Sequence, residues 1–367
     1  MNRAALFRRL RTHFDWPLVA VIVAIAAIGL VNLYSATRAA PIHGLFEAHI
    51  RFLVLGFGLF FAFSIADYRV WLRFSWVVLL VGVLAVVGVH FAGVVVKGSR
   101  RWLGYGNLRI QPSEFVKIAV ILALARFVHD REGDDLKLLG LAARFCAFVA
   151  TIQLIAWQPD LGTAMLVALI CLSTLTLAAR RIWLVVAGLG GAAAALPFLW
   201  TYALKDYQKK RILTFLDPSS DPSGAGWHAR QSIFAIGSGR LGGKGYLHGT
   251  QNQLNFLPEH WTDFPFSVWA EEWGFAGAIV LLGLYLFLIL WIINVASQAR
   301  DRFGATLCIG VAAMIFWHVI VNIAMVTGLA PVVGVTLPLI SSGGSSVLTM
   351  FVGLGLVASV SIRRYAQ

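Results

Sequence analysis

The feature that most constrains this chain is a succession of apolar runs that recurs along the whole 367-residue sequence. A run of about 20 apolar residues crosses the hydrocarbon core of a bilayer as an α-helix. Hydrophobic residues make up 59% of the chain and charged residues 13%, whereas soluble domains carry about 25% charged residues. These proportions exclude a water-soluble globular enzyme. The sequence therefore predicts an all-α polytopic membrane protein.

The apolar runs predict about ten transmembrane helices. The predicted spans cover residues 17–35, 47–66, 71–92, 114–129, 140–157, 163–179, 182–203, 267–294, 304–327 and 345–362. One long loop, at about 204–266, separates the seventh span from the eighth. No stretch between the spans is long enough to bury a core of its own, so we expect a single membrane domain over residues 1–367.

The basic residues give a prediction for orientation. Lys and Arg number 30 against 17 Asp and Glu, a formal net charge of +13. Ten spans place both termini on one side, and Lys and Arg in short loops favour the cytoplasmic side for them. The long loop would then face the outside. Because no basic soluble domain is present, the charge indicates membrane lipids and not nucleic acid as a partner.

Two loops on the predicted outer face are basic, and the shorter one, at 93–113, runs against this charge rule. One carries Lys97 and Arg101, and the other begins with a basic cluster that includes Lys210 and Arg211. Arg binds phosphate bidentately and Lys binds it as a point charge, so these loops indicate an anionic ligand at the membrane surface. The alternative is that both loops contact anionic lipid headgroups.

Glu114 and Lys117 lie near the start of the fourth span, three residues apart. Charged residues inside a span are costly and suggest function. A Lys one turn into an apolar helix needs a carboxylate or a phosphate nearby. Lys117 is therefore either the structural partner of Glu114 or a ligand for an anion.

Carboxylates also border the sixth and eighth spans. Asp160 lies in a tight turn before the sixth span, where a helix N-cap is the favoured interpretation. Asp263 lies at the boundary of the eighth span among aromatic residues, with Glu259 four residues earlier. Apolar surroundings disfavour the ionised form and make Asp263 a better proton acceptor. The alternative is that it is the N-cap of that span, although one residue can serve as both cap and base.

Two further stretches have unusual composition. Glycines between 237 and 245 surround Arg240 and Lys244, and their backbone N–H groups could hold a phosphate. The polar run at 341–346 follows two prolines and precedes the last span. It predicts a broken, re-entrant segment, which a membrane protein tolerates where it packs in protein or lines a cavity.

Five ordered motifs give the chain a resemblance over its whole length. They are KGSRRWL at 97–103, QPSEFVKIA at 111–119, QPDLGTA at 158–164, LPEHWTDFPF at 257–266 and ISSGGSS at 340–346. Together they resemble the SEDS family (shape, elongation, division and sporulation), and the stretch at 243–259 is most similar to members that act in rod-shaped growth. Pro265, Ser342 and Trp261 depart from the usual family pattern.

The resemblance implies a peptidoglycan glycosyltransferase in the bacterial cytoplasmic membrane, with its active site on the extracytoplasmic face. Its substrate would be lipid II, a disaccharide-peptide on undecaprenyl pyrophosphate, and its product a glycan strand made during cell elongation. A class B penicillin-binding protein, which crosslinks the strands, and other elongation-complex proteins would be its partners. A flippase for the same lipid is the main alternative, and a scaffold is a third.

Within that interpretation Asp263 would be the general base that activates a sugar hydroxyl. Inversion from an α-linked donor to a β-linked product predicts a single displacement without a covalent intermediate. Glu114 would orient Lys117, and Asp160 and Glu259 would bind substrate. A Mg²⁺ or Mn²⁺ ion on the pyrophosphate fits this chemistry, but the sequence shows no dedicated metal cage.

The cations would stabilise the leaving pyrophosphate. Arg101, Lys117 and Arg211 are the first choices for this role, and Lys97 and Lys210 are weaker ones.

Overall fold

The structure is a computed structural model that describes residues 14–38, 44–96, 99–105, 108–130, 138–158, 160–179, 205–217, 221, 224–257 and 259–364, with isolated positions between 186 and 201. Its helices are α1 (Trp16–Arg38), α2 (Leu45–Ile65), α3 (Tyr68–Ala92), α4 (Pro112–Asp130), α5 (Leu138–Trp157), α6 (Leu161–Ala179), α7 (Asp206–Leu216), α8 (Ala225–Ser238), α9 (Thr250–Gln253), α10 (Pro265–Ser297), α11 (Arg302–Val326) and α12 (Gly344–Arg363). Three short strands are β1 (Val94–Val96), β2 (Ser99–Tyr105) and β3 (Leu108–Ile110).

The predicted all-α membrane fold is confirmed. In the described part of the chain, nine long helices correspond to nine of the ten predicted spans. Seven of these nine, namely α1, α2, α3, α6, α10, α11 and α12, are long and apolar enough to cross a membrane by length and composition. Most of the predicted seventh span, at 182–203, lies outside the described residues.

The core of the bundle lies around α4, α11 and α12. Helix α12 is almost entirely buried, with α2 packed along it, while α3 packs along α4. Gly56 lets α2 approach closely, since a Cβ there would lie 2.1 Å from the Phe351 ring. Membrane helices pack through such small residues, because lipid tails are as apolar as the side chains.

The described ends of the chain lie together. Ser361, near the end of α12, donates a hydrogen bond of 2.6 Å to Asp15, just before α1. The first and last helices therefore have their terminal ends on one side of the bundle, as an even number of spans predicts.

The segment between α3 and α4 folds into a small antiparallel sheet in the order β1-β2-β3. The sequence predicted only a basic loop here. Trp102 pairs with Val94, and Leu103 pairs with Ile110. The sheet holds Arg101 beside the start of α4.

Helix α10 is broken at Gly274, which has a φ of 65°. The glycine-rich stretch docks into this break. Lys244 N–H donates to the Glu271 carbonyl at 3.0 Å, and Phe275 N–H donates to the Arg240 carbonyl at 2.8 Å. A left-handed backbone here favours glycine. The prediction that backbone N–H groups of this stretch hold a phosphate is therefore wrong for Lys244 and Gly245, because their N–H groups donate to carbonyls of α10.

Residues 327–343 join α11 to α12 without regular structure, and most of the large apolar side chains among them are buried. The Tyr285 hydroxyl donates to the Pro338 carbonyl at 2.5 Å, and Ser342 N–H donates to the Trp261 carbonyl at 2.9 Å. Irregular backbone is tolerated in a membrane protein where other protein groups satisfy it. This is the broken segment that the sequence predicted.

Candidate functional site

A cavity of about 340 Å³ opens at the end of the bundle that carries the small sheet. Ligand pockets commonly have volumes of about 300–1,000 Å³. Its described lining comprises Ser99, Arg101, Trp102, Gln111, Glu114, Asp160, Thr163, Leu166, Arg211, Glu259, Thr262, Asp263, His318, Val333, Gly334, Val335, Thr336, Gly343, Ser345 and Ser346. Six of the nine residues predicted for the site are in this lining.

Four helices begin at this cavity. The lining includes residues at the first turn, or just before the first residue, of α4, α6, α10 and α12. The N-terminus of a helix presents unpaired N–H groups and a partial positive charge. The cavity is therefore suited to an anion before any side chain is considered.

Asp263 lies on the tight turn that leads into α10. The N–H groups of Thr262 and Asp263 both donate to the Glu259 carbonyl, at 3.1 and 3.0 Å. Phe264 occupies the N-cap position without a side-chain cap, and Pro265 follows as the first helical residue. The interpretation of Asp263 as the N-cap is therefore wrong. Pro265 suits this position because its fixed φ and missing N–H cost nothing there.

The irregular segment between α11 and α12 lies against Asp263. A Cβ built on Gly334, whose φ is 75°, would lie 3.5 Å from Asp263 Oδ2. Asn322 of α11 donates to the Asp263 carbonyl at 2.9 Å and to the Val335 carbonyl at 2.7 Å. One buried amide thus holds both the Asp263 turn and the irregular segment.

Asp160 joins the sheet to two helices. Its Oδ2 accepts hydrogen bonds from Gln111 at 2.8 Å and Ser113 at 3.2 Å. Its Oδ1 accepts one from the N–H of Thr163 at 3.3 Å and lies 3.6 Å from Arg101 Nη1. Asp160 therefore acts as a helix cap and also orients the Arg101 guanidinium beside the cavity.

Glu114 and Lys117 form the predicted pair inside α4, with Nζ 2.8 Å from Glu114 Oε2. Lys117 is fully buried, whereas Glu114 lines the cavity. Lys117 Nζ also lies 2.8 Å from His318 Nε2 on α11. The ammonium is therefore behind the cavity wall, with Glu114 and His318 between it and the open space.

Glu259 and Arg211 complete the charged lining. Glu259 adopts a φ of 51°, which is uncommon for a residue with a side chain. Its Oε2 accepts a hydrogen bond from Thr262 Oγ1 at 3.3 Å. Arg211 comes from α7 and reaches the cavity from the long loop.

One predicted cation, Lys210, is not in the described lining. Lys210 has a side chain that is 69% exposed and lies 3.8 Å from Asp221. Adjacent residues of a helix point about 100° apart, so Lys210 turns away where Arg211 turns inward. Lys97 lies outside the described residues.

His318 and Asn322 were not predicted for the site. They are one turn apart on α11 and nearly fully buried, so they lie on one helix face. The available signal was two polar residues four positions apart inside an apolar span. Only the packing of α11 shows that this face points toward Lys117 and the Asp263 turn.

A second acidic centre lies behind the glycine-rich stretch. Glu271 Oε1 is 2.7 Å from Lys244 Nζ and accepts the Gln251 N–H at 2.9 Å. Glu272 accepts a hydrogen bond from Ser35 of α1. Both carboxylates are buried, and neither is in the described lining of the cavity.

Two histidines of the long loop carry little charge at neutral pH. Burial lowers the pKa of His228, and the carboxylates of Glu259 and Asp221 only partly oppose this. Burial also lowers the pKa of His260, although its ring contacts the carbonyls of Leu257 and Ala36. Positive charge in this region therefore comes from Arg and Lys.

Among the residues that the structure describes, no three His, Cys, Asp or Glu side chains cluster to hold a metal ion.

Comparisons with known proteins agree with this architecture. The sequence profile of the FtsW/RodA/SpoVE family of cell cycle proteins matches residues 15–366. The chain is 40% identical over 355 residues to the peptidoglycan glycosyltransferase MrdB of Escherichia coli, covering 96% of this chain and 95% of that protein. It is 30% identical over 427 residues to the peptidoglycan glycosyltransferase RodA of Treponema pallidum, covering 96% and 98%.

Solved structures are also similar. A chain from a study of polymerization and crosslinking by a peptidoglycan synthase complex superposes with a TM-score of 0.81 at 32% identity, covering 97% of this chain and 100% of that one. The rod shape determining protein RodA of Thermus thermophilus gives a TM-score of 0.71 at 29% identity, covering 97% and 99%. This chain therefore belongs to the FtsW/RodA/SpoVE family, which is the SEDS family that its motifs predicted.

Proposed function

We propose that this chain, a peptidoglycan glycosyltransferase, polymerises lipid II into glycan strands within the cavity around Asp263 during cell elongation. The observation that carries the proposal is the convergence of Asp263, one of four carboxylates in the described lining, with Arg101 and Arg211 where four helices begin. A carboxylate can accept the hydroxyl proton, and the arginines can hold a pyrophosphate. Both are needed to transfer a sugar from a lipid pyrophosphate.

Asp263 is the general base of this reaction. The 4-hydroxyl of one sugar attacks the anomeric carbon of the other, the bond to the pyrophosphate oxygen breaks, and Asp263 accepts the hydroxyl proton. A positioned base accelerates such a step by about 10²–10⁴-fold. Because attack and departure occur on opposite faces, the α-linked donor becomes a β-linked product in one displacement.

The cations stabilise the negative charge that develops on the pyrophosphate. Arg101 and Arg211 line the cavity and can contact the phosphates directly. Lys117 acts through its charge from behind Glu114 and His318, and Glu114 orients it. The helix N-termini add partial positive charge at the same place.

A divalent cation is compatible with the donor set. Mg²⁺ is commonly held by one or two carboxylates together with substrate phosphates. Glu259 is the cavity carboxylate that would hold such an ion beside the pyrophosphate, which leaves Asp263 for the proton. The ion would supply further charge stabilisation when bound.

The cavity would face the outside of the bacterial cytoplasmic membrane, with both termini in the cytoplasm. It lies at the end of the bundle that carries the long loop, away from the contact between Asp15 and Ser361. A class B penicillin-binding protein is the partner that would crosslink the product. The structural neighbour from a complex that polymerises and crosslinks supports this assignment.

The proposal is tested by incubating the purified chain and its class B partner with lipid II and measuring glycan strands. We expect strands from the wild type, and a loss of at least about 100-fold when Arg101 and Arg211 are both replaced by Gln. The matched control replaces Arg300 and Arg302, two exposed residues where the chain passes from α10 to α11, with Gln; it removes the same charge and should leave synthesis unchanged. If the protein moves lipid II across vesicle membranes and makes no strands, the glycosyltransferase proposal is wrong and the flippase function is supported.

A further inference from the structure

His318 connects the buried Lys117 to the irregular segment between α11 and α12. Its Nε2 lies 2.8 Å from Lys117 Nζ, and its Nδ1 lies 2.9 Å from the Thr336 carbonyl. The ring is 1% exposed. One nitrogen therefore contacts the buried ammonium and the other contacts the irregular segment between α11 and α12.

These two partners determine the tautomer of the ring. The Thr336 carbonyl can only accept a hydrogen bond, so Nδ1 carries the hydrogen. In a neutral ring Nε2 is then an acceptor, and the Lys117 ammonium donates to it. A second hydrogen on Nε2 would point at a positive charge. His318 is therefore neutral in one tautomer, and Glu114 balances the charge of Lys117.

The irregular segment continues this connection to Asp263. Thr336 is two residues after Gly334, which lies against Asp263 Oδ2. One turn along α11, Asn322 bonds both the Val335 carbonyl and the Asp263 carbonyl. Lys117 and the backbone of Asp263 are thus both linked to the three-residue stretch 334–336 through one face of α11.

We propose that His318 is a positioning residue for glycosyl transfer, which fixes the Lys117 ammonium relative to Asp263 by holding both Lys117 and residue Thr336. The inference rests on the roles given above to Lys117 and Asp263. Glu114 and His318 occupy two of the three ammonium hydrogens, so the direction of the third is set as well. Reacting groups must be held closely, because a displacement of 1 Å can cost about 100-fold in rate.

Two conservative variants separate the contacts of the two nitrogens. Asn can place its amide nitrogen where Nδ1 lies, so His318→Asn keeps the donor to Thr336 and loses the acceptor for Lys117. Gln can place its amide oxygen where Nε2 lies, so His318→Gln keeps the acceptor for Lys117 and loses the donor to Thr336. We expect His318→Asn to weaken binding of the pyrophosphate, and His318→Gln to lower kcat while binding is retained.

The first experiment measures the Kd for undecaprenyl pyrophosphate in detergent micelles, with and without Lys117→Met. His318→Asn should raise Kd about tenfold in the wild-type background and leave it unchanged beside Lys117→Met, because residues in contact give non-additive effects. An equal rise in both backgrounds, or no rise in either, would overturn the proposal. This readout needs no turnover, so a wild type that binds the pyrophosphate and makes no strands would contradict the proposed function and leave the positioning test valid.

A second measurement uses the unaltered fold. In protein labelled with ¹⁵N-histidine, the His318 signal is identified by its loss in His318→Gln. We expect a hydrogen on Nδ1 and none on Nε2 at pH 7, and a shift of the Nε2 resonance in Lys117→Met. A doubly protonated ring, or an Nε2 resonance that does not shift in Lys117→Met, would overturn the proposed role of His318. This test remains valid even if His318→Asn does not fold.

Discussion

Two buried Glu–Lys pairs in this protein have almost the same geometry. Glu114 and Lys117 are 2.8 Å apart, and Glu271 and Lys244 are 2.7 Å apart. In each pair one partner is fully buried. Their surroundings differ.

The first pair borders the cavity, and the second is not in the described lining. Glu114 lines the cavity, and Lys117 contacts His318. Glu271 is surrounded by donors from the loop at 244–252, which it fastens onto α10. A buried charge pair by itself is therefore poor evidence of a site. Because only the first pair borders the cavity, we propose a functional role for it and a structural role for the second.

Lys117→Met should have the largest effect on strand synthesis among the variants of the two pairs. We expect a fall of about 100-fold, because the leaving pyrophosphate loses a charge held in a low-dielectric position. The measurement is the initial rate of glycan synthesis from lipid II, per mole of protein that elutes as a single species. A rate within twofold of wild type would show that Lys117 does not contribute to strand synthesis, and that both pairs have only a structural role.

Asp160→Asn should have an intermediate effect. Asn can still cap α6, but Arg101 loses the carboxylate that orients it. We expect KM for lipid II to rise about tenfold, since hydrogen bonds to charged groups contribute about 1.5–3 kcal/mol. Thermal unfolding serves as the control for the cap. A lowered melting temperature with an unchanged KM would show that Asp160 is structural alone.

Lys244→Met should affect stability and not chemistry. It leaves Glu271 without its ammonium partner, and breaking a buried pair costs about 3–5 kcal/mol. We expect a clearly lower melting temperature, with synthesis per folded molecule within about twofold of wild type. Lost synthesis in protein that remains folded at the assay temperature would give this second pair a functional role.

Lys210→Gln should have the smallest effect. Lys210 is mostly exposed and pairs with Asp221 at 3.8 Å, and surface pairs contribute little. We expect less than about a twofold change in the rate of strand synthesis. A tenfold loss would contradict this expectation and support the substrate-binding role that the sequence had suggested for Lys210.

Much of the candidate site could be predicted because its motifs lie at the ends of predicted spans. Asp160, Asp263 and Glu114 each border the start of a helix, and helices that cross a membrane in the same direction begin on the same side. Their sharing of one face thus follows from counting spans. Arg101 and Arg211 could be placed on that face by their loops, but the reason that Arg211 enters the cavity and Lys210 does not is a helical rotation that the loop sequence did not reveal.

Other features depended on tertiary contacts. His318 and Asn322 lie in an apolar span, and they bond to the backbone carbonyls of Thr336 and Val335. Every residue has a backbone carbonyl, so the sequence does not indicate which one a buried side chain will contact. The break at Gly274 likewise depends on the docking of residues from the long loop into α10. A glycine in an apolar run does not by itself predict which segment will fill the break.

The most direct test of the account measures strand synthesis and thermal unfolding together for Asp263→Asn and Glu271→Gln. Both variants remove one carboxylate charge from residues eight positions apart. We predict that Asp263→Asn keeps the melting temperature of the wild type and loses at least about 100-fold in rate, whereas Glu271→Gln lowers the melting temperature and keeps the rate per folded molecule. Normal synthesis by a folded Asp263→Asn variant, or abolished synthesis by a folded Glu271→Gln variant, would contradict the account.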